Sequence, residues 1–267
     1  MSYYNAGQIT LRHPSRHGVE TDINYTFSRS IDYGSDAERA VEFSTSGNAL
    51  SNSDIINTWK PALNKSISDF NTTQLLTLDW VYQLPFGKTK AFLGNAGHVA
   101  NTVIGSWQLS GIFRLTSGLP FSLVEPGWTT DWEIGSYGVV TDPSRVKEHK
   151  TILPGGTPQY FSNATAINNG LAIGTPERLP YPGETGERNN FIGDGYLDLD
   201  SSLSKSWDLE RYGTLKFAWE VYNVTNTVRF DPFGIGSGLN SGSLGIVSTE
   251  LTDQAYRHMQ FSLRYDF

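Results

Sequence analysis

The feature that most limits what this chain can fold into is an alternation of apolar and polar residues, held over long segments. Near the C-terminus Met259, Phe261, Leu263, Tyr265 and Phe267 share one parity, while Gln260, Ser262, Arg264 and Asp266 share the other. The period recurs upstream. Leu215, Phe217, Trp219 and Val221 oppose Thr214, Lys216, Ala218 and Glu220, and Leu197, Leu199 and Leu203 oppose Asp198, Asp200, Ser202 and Ser204. Trp107, Leu109, Phe113 and Leu115 oppose Gln108, Ser110, Arg114 and Thr116, and Leu76, Leu78, Trp80 and Tyr82 oppose Thr77, Asp79 and Gln83. Val19, Ile23, Tyr25 and Phe27 oppose Glu20, Asp22, Asn24 and Thr26, and a shorter first strand sets Ile9 and Leu11 against Gln8, Thr10 and Arg12. A period of two places successive side chains on opposite faces of an extended chain. The expectation is an all-β fold of about seven antiparallel strands, each with one apolar and one polar face.

Strand length and connections separate the ways such strands can assemble. Globular strands run about five or six residues, whereas a tilted strand crossing a bilayer takes roughly 9 to 11. Several of these segments reach the longer class. The connections alternate short and long: a tight turn over 14–18, a long segment over 34–71, a link from Gly87 to near His98, and a very long segment over 122–194. A turn at Glu210-Arg211-Tyr212-Gly213 and a long segment over 228–253 complete the series. Membrane barrels show this asymmetry, with short periplasmic turns and long extracellular loops. The long segments are rich in Gly, Pro, Asn and Ser and read as surface loops, although 167–173 and 244–248 could be short strands of their own.

This pattern gives a direction. With the long loops outside, Phe267 ends on the periplasmic side and residue 1 lies on the extracellular side. Single-chain bacterial barrels have an even strand number, so an odd count implies further strands upstream. No run of 18 apolar residues is present and residues 1–10 are polar and aromatic, so neither a transmembrane helix nor a signal peptide is expected in the sequence. The absence of cysteine excludes disulfides and thiolate zinc sites, and a net charge of −7 argues against a nucleic-acid partner.

Several blocks resemble a known family. They are Leu84-Pro85-Phe86-Gly87, Gly105-Ser106-Trp107-Gln108-Leu109-Ser110-Gly111, Ser117-Gly118-Leu119-Pro120-Phe121, Asp198-Leu199-Asp200-Ser201-Ser202-Leu203, Phe217-Ala218-Trp219-Glu220-Val221-Tyr222-Asn223 and the terminal Arg257 to Phe267. In this order they resemble the last strands of Oar-like TonB-dependent receptors, well over 70–267 and loosely before that. The resemblance implies an outer-membrane transmembrane β-barrel of roughly 22 strands with an N-terminal plug, energised through TonB. On that reading residues 1–267 are the C-terminal part of the barrel, without the plug. The partners are outer-membrane lipid, the upstream barrel and plug, TonB through the plug, and the barrel assembly machinery. The last of these would read Leu263, Tyr265 and Phe267, with Ser262 where a glycine is often found.

Each block also has a physical reading. Gly87 and Gly213 suit turns, and Gly105, Gly111 and Gly118 suit bends or close backbone approach. Trp80, Trp107, Trp207 and Trp219 suit the headgroup interface. Asn223 and Thr225 can cap a strand entering a loop. Arg114, Asp198, Asp200, Lys216, Glu220 and Arg264 are expected to face the lumen.

Catalytic and metal readings find little support. His13 and His17 could share a metal but read as a solvated turn, and His98, His149 and His258 form no spaced pair. Asp194, Asp198 and Asp200 invite calcium, against which stands a polar lumen wall. No phosphate loop or nucleophile elbow is present, so the expectation is a non-enzymatic transporter segment in the bacterial outer membrane, without cofactors. A soluble β-sandwich that binds carbohydrate through Trp128 and Trp132 is the main alternative, and a glycosidase with acids in its loops is a further one.

Overall fold

The computed structural model describes residues 2–35, 55, 57–124, 136–148, 150–167, 174–228, 230, 234–250 and 256–267. Trp128, Trp132 and His149 lie outside the described residues. Seven long strands form one antiparallel sheet: β1 (Tyr3–Arg16), β2 (Val19–Asp32), β3 (Gln74–Gln83), β4 (Trp107–Thr116), β5 (Tyr196–Asp208), β6 (Thr214–Tyr222) and β7 (His258–Asp266). They pair strictly in chain order, so every strand hydrogen-bonds the one before it. A two-residue strand, Ser66–Ile67, adds to the far end of β2. Among the described residues the sheet is open, with β1 and β7 as its edges.

The register brings the apolar residues of every strand to one face. Tyr25, Leu76, Leu115 and Leu197 follow one another across four strands, as do Ile23, Leu78, Phe113 and Leu199. Leu203, Trp219 and Phe261 continue the face to the last strand. A slip of one residue anywhere would turn that strand's apolar set to the polar side, so the alternation itself fixes the pairing. Gly111 serves this face in a particular way. The Trp80 ring lies over it, and a Cβ there would stand 2.3 Å from the ring.

Two turns correct the expected boundaries. β1 runs through Pro14 to Arg16, with a register irregularity after His13, and the turn is only His17-Gly18. Both residues have positive φ, 54° and 82°, the geometry of a two-residue hairpin whose twist matches its strands. The β3–β4 link extends past His98 and carries a helix, α1 (His98–Ile104). At the β5–β6 turn, Gly213 at φ 102° supplies the backbone angle that closes a short helical turn, Glu210–Tyr212.

The long connections are a larger correction to the surface-loop expectation. They gather at one end of the sheet and fold into a head with its own core. Phe121, Phe161, Ile167 and Phe191 from the β4–β5 segment pack with Leu239, Leu244 and Val247 from the β6–β7 segment. Two-residue strand pairs hold it, such as Phe191–Ile192 on Pro120–Phe121 and Glu177–Arg178 on Val139–Val140. Four aromatic rings stack at its centre, with Phe121 and Tyr160 edge-on at 5.0 Å and Phe161 and Phe191 edge-on at 5.2 Å. Residues 164–167 make a helical turn rather than the start of a strand, while 168–173 lie outside the described residues. Residues 244–248 form a turn with isolated bridges to Gln159 and Ile235.

Burial in the described residues is inverted relative to a soluble β-protein. Every buried hydrophobic side chain lies between Leu119 and Val247 in the head, and none lies in the seven long strands. Ile9, Leu11, Phe261 and Leu263 are 60–68 % exposed, while Ser28, Ser30 and Asp198 of the strands are buried. A β-sandwich would cover its apolar face with a second sheet. Among the described residues no second sheet covers the apolar face.

Candidate functional site: the polar wall and the head

The register places Arg114, Asp198, Asp200, Lys216, Glu220 and Arg264 on one face, opposite the apolar one. Asp198 pairs across the sheet with Arg114, Lys216 with Arg264, and Glu220 with both Ser202 and Gln260. Their side chains form short chains of opposite charge. Arg114 and Asp198 stand 3.9 Å apart. Lys216 at 3.8 Å and Arg264 at 2.6 Å converge on Asp266. Gln260 donates to Glu220, and Arg12 stands 3.5 Å from Asp22 further along the same face. Such a wall suits water or a polar filling and offers no donor–acceptor triad for nucleophilic chemistry.

At the head end the wall passes into the loops. The Asn223 amide donates to Asp200 at 2.9 Å, while its side chain accepts from Thr227 N and donates to Thr227 O, each at 2.9 Å. Asn223 thus caps β6 as it enters its loop, in a left-handed conformation at φ 49° that asparagine tolerates. On the apolar face Trp107 and Trp207 sit near the short-turn rim, as interface aromatics would. Trp80 and Trp219 sit deeper, opposite Gly111 and Phe261. Among the described residues the Trp219 indole N–H has no hydrogen-bond partner, and its ring stacks on Phe261 at 6.0 Å.

The head contains the strongest buried polar chemistry among the described residues. The Arg188 guanidinium is 1 % exposed and donates to Asp32 Oδ1 at 2.5 Å and to Asp69 Oδ2 at 3.4 Å. It also donates to the carbonyls of Asn64 and Ile67. Asn189 donates to Asp69 Oδ1 at 2.5 Å and receives on its backbone side a tie from Ser122, whose hydroxyl accepts the Asn189 N–H at 2.8 Å. One arginine thereby joins the end of β2, the β2–β3 segment and the β4–β5 segment. Nearby chemistry differs at Glu177. It is fully buried, and among the described residues neither carboxylate oxygen has a hydrogen-bond partner. Burial, with the Glu187 charge behind it, pushes its carboxyl up to about 8. Half-buried in the head, Arg178 holds Glu184 through two hydrogen bonds of 2.7 and 3.0 Å and keeps that carboxyl below its usual value.

The cation candidates are dispersed. Asp194 pairs with Lys150, Asp198 with Arg114, and Asp200 with the Asn223 amide. His13 meets Val19 O at 3.2 Å and His258 stacks on Tyr222. Among the described residues no three His, Asp or Glu side chains come together as a metal site.

A meander of long antiparallel strands with a largely exposed apolar face, its charged residues on the other face and its long loops at one end has the features of a bacterial outer-membrane β-barrel protein. The chain belongs to the outer membrane beta barrel domain family, whose model matches residues 1–260. No curated protein and no solved structure matches the chain significantly. Family membership places the protein in the bacterial outer membrane, in contact with its lipid. It gives no support to a soluble carbohydrate-binding sandwich.

Proposed function

We propose that the chain is the C-terminal barrel portion of a TonB-dependent transporter for a scarce nutrient. The apolar face meets lipid and the face carrying Arg114, Asp198, Asp200, Lys216, Glu220 and Arg264 lines the lumen against the plug. The observation that carries this reading is the inverted burial: apolar strand residues outward, charged residues paired on the opposite wall. The head is the capture surface, with Trp59, Tyr181 and Tyr256 exposed at 63–73 %. Aromatic faces of this kind accept sugars, peptides or chelates alike. Leu263, Tyr265 and Phe267 at the exposed edge are the assembly signal.

Two substitutions test the faces. Leu109→Arg puts a cation on the lipid side and is expected to cost ~2–4 kcal/mol of barrel stability, read as loss of the heat-modifiable folded band. Arg114→Leu should assemble normally. Equal tolerance at both positions defeats the face assignment. Energy coupling is tested separately by capture of TonB's periplasmic domain on the full-length protein. A folded barrel that never retains it is not a TonB-dependent transporter.

A further inference from the structure

The β3–β4 link is the longest connection at the short-turn end, and it is fastened to the sheet in an unusual way. Trp207 Nε1 donates to Thr102 O at 2.8 Å and Trp107 Nε1 donates to Val103 O at 2.9 Å. Lys205 Nζ donates to Gly105 O. These carbonyls belong to the last turn of α1 and its C-cap Gly105, where the helix offers its carbonyls no N–H donors of its own. Lys205 is only 2 % exposed, and its Nζ lies 5.4 Å from the ring centres of both Trp107 and Trp207. The register puts all three on the apolar face: Lys205 is opposite Trp107 and Phe217, and Trp207 is opposite Leu215. The link is therefore held on the outer side of the rim rather than the polar side.

So held, the link presents apolar side chains away from the protein. Phe86, Phe92, Leu93, Val99 and Val103 are 40, 57, 61, 79 and 65 % exposed. Val99 and Val103 lie four apart and share one side of α1. The Phe86 and Phe92 rings are 5.6 Å apart. Lys88 and Lys90 between them are exposed. The Lys88 N–H donates to Asn101 Oδ1 at 2.6 Å, so the lysine turn is tied to the helix. The patch continues the Trp107–Phe217 surface, which the proposed face assignment sets against lipid. Apolar side chains flanked by ammonium groups fit the boundary between acyl chains and phosphates.

We propose that residues 86–103 form an interfacial foot, inserted into the phospholipid leaflet at the short-turn rim, with Lys88 and Lys90 on lipid phosphates. The partner is the membrane surface itself, and the inference rests on the apolar sheet face meeting lipid. The chain has no cysteine, so single cysteines report cleanly. Val103→Cys, Leu199→Cys on the apolar face of β5, and Ile152→Cys in the head are labelled with an environment-sensitive fluorophore. The full-length protein is then reconstituted in phosphatidylethanolamine–phosphatidylglycerol vesicles. Burial by ~5–10 Å predicts that a headgroup-proximal nitroxide lipid quenches the Val103 probe about twofold more than a deep one, with little quenching by iodide. The Leu199 probe should respond to the deep nitroxide and the Ile152 probe to iodide alone. A Val103 probe as open to iodide as Ile152 overturns the foot, and a lipid response at Leu199 in the same sample keeps the face assignment standing. A Val103 response with a silent Leu199 supports the foot and removes the face assignment. Silence at both overturns the two together.

Discussion

Replacing Arg188 with leucine should release the head while leaving the sheet assembled. The guanidinium is buried between Asp32 and Asp69, which are 7 % and 2 % exposed. Removing one partner from a buried ion pair leaves an uncompensated charge and costs ~3–5 kcal/mol. Here two carboxylates would be stranded at once, together with the Asn64 and Ile67 carbonyls that Arg188 now satisfies. The loss falls on the loops, because among the described residues Arg188 meets the sheet at its head end, at the last residue of β2 and the short Ser66–Ile67 strand beside it. The measurement is limited proteolysis of the folded, membrane-inserted protein. Cleavage in residues 61–73 and 174–195 should rise steeply in the Arg188→Leu variant while the heat-modifiable band persists. The triple variant Arg188→Leu, Asp32→Asn, Asp69→Asn should recover much of the protection, since no charge is then buried alone. Unchanged cleavage in the single variant would show that the ion pair does not hold the head. Retained lability in the triple variant would shift the cause from charge to packing.

The sheet was legible in the sequence because its information is local. Each strand announces its faces by parity, and hydrophobic register then leaves one way to pair neighbours such as Leu76 with Leu115 and Leu215 with Tyr265. The head was not legible, because its information is distant. Phe121, Phe161, Phe191 and Leu239 are separated by Gly, Pro and Asn and follow no period, so they read as loop residues until the chain brings them together. Arg188 stands in Glu187-Arg188-Asn189-Asn190, a run with every mark of a solvated turn, and its acidic partners lie 156 and 119 residues away. Lys205 is hidden in another way. It breaks the alternation of β5 by occupying an apolar-face position, and the carbonyl that satisfies it is 100 residues upstream. A charged residue at an apolar parity, close to the strand's end, was the available signal. The candidate wall residues fall between these cases. Their shared face follows from parity, whereas the convergence of Lys216 and Arg264 on Asp266 needed the register.

Raising the pH from 6 to 9 should loosen the head, and Glu177→Gln should abolish that response. Glu177 has its oxygens against Gly138, where a Cβ would stand only 2.1 Å from Oε1, and among the described residues no donor reaches either oxygen to stabilise a charge. Its native carboxyl titrates at about 8, against 4.5 in an unfolded chain. Below about 4.5 both states hold the proton and the group imposes no penalty. Between the two values the folded state keeps a proton that the unfolded state has lost, so stability falls by ~1.4 kcal/mol for each pH unit. Above about 8 the loss is complete, and it amounts to on the order of 3–5 kcal/mol. Glu187, raised by its own burial, adds to the trend, whereas Glu184 acts in reverse because Arg178 depresses it and its contribution is lost only in acid. Tyr160 is also raised and stays neutral throughout this range. The two groups oppose each other: the Arg178–Glu184 pair favours the folded head until acid protonates Glu184, while Glu177 erodes stability progressively from about pH 4.5 to about 8. Hydrogen exchange over residues 136–148 and 174–195 reads this directly: protection in the native protein should drop between pH 6 and pH 9 after correction for the intrinsic rate, and the Glu177→Gln profile should stay nearly flat, with only the Glu187 slope left. A native profile as flat as the variant's would mean that the buried carboxylate ionises at no cost to the head, and an equal fall in both would assign the response to Glu187.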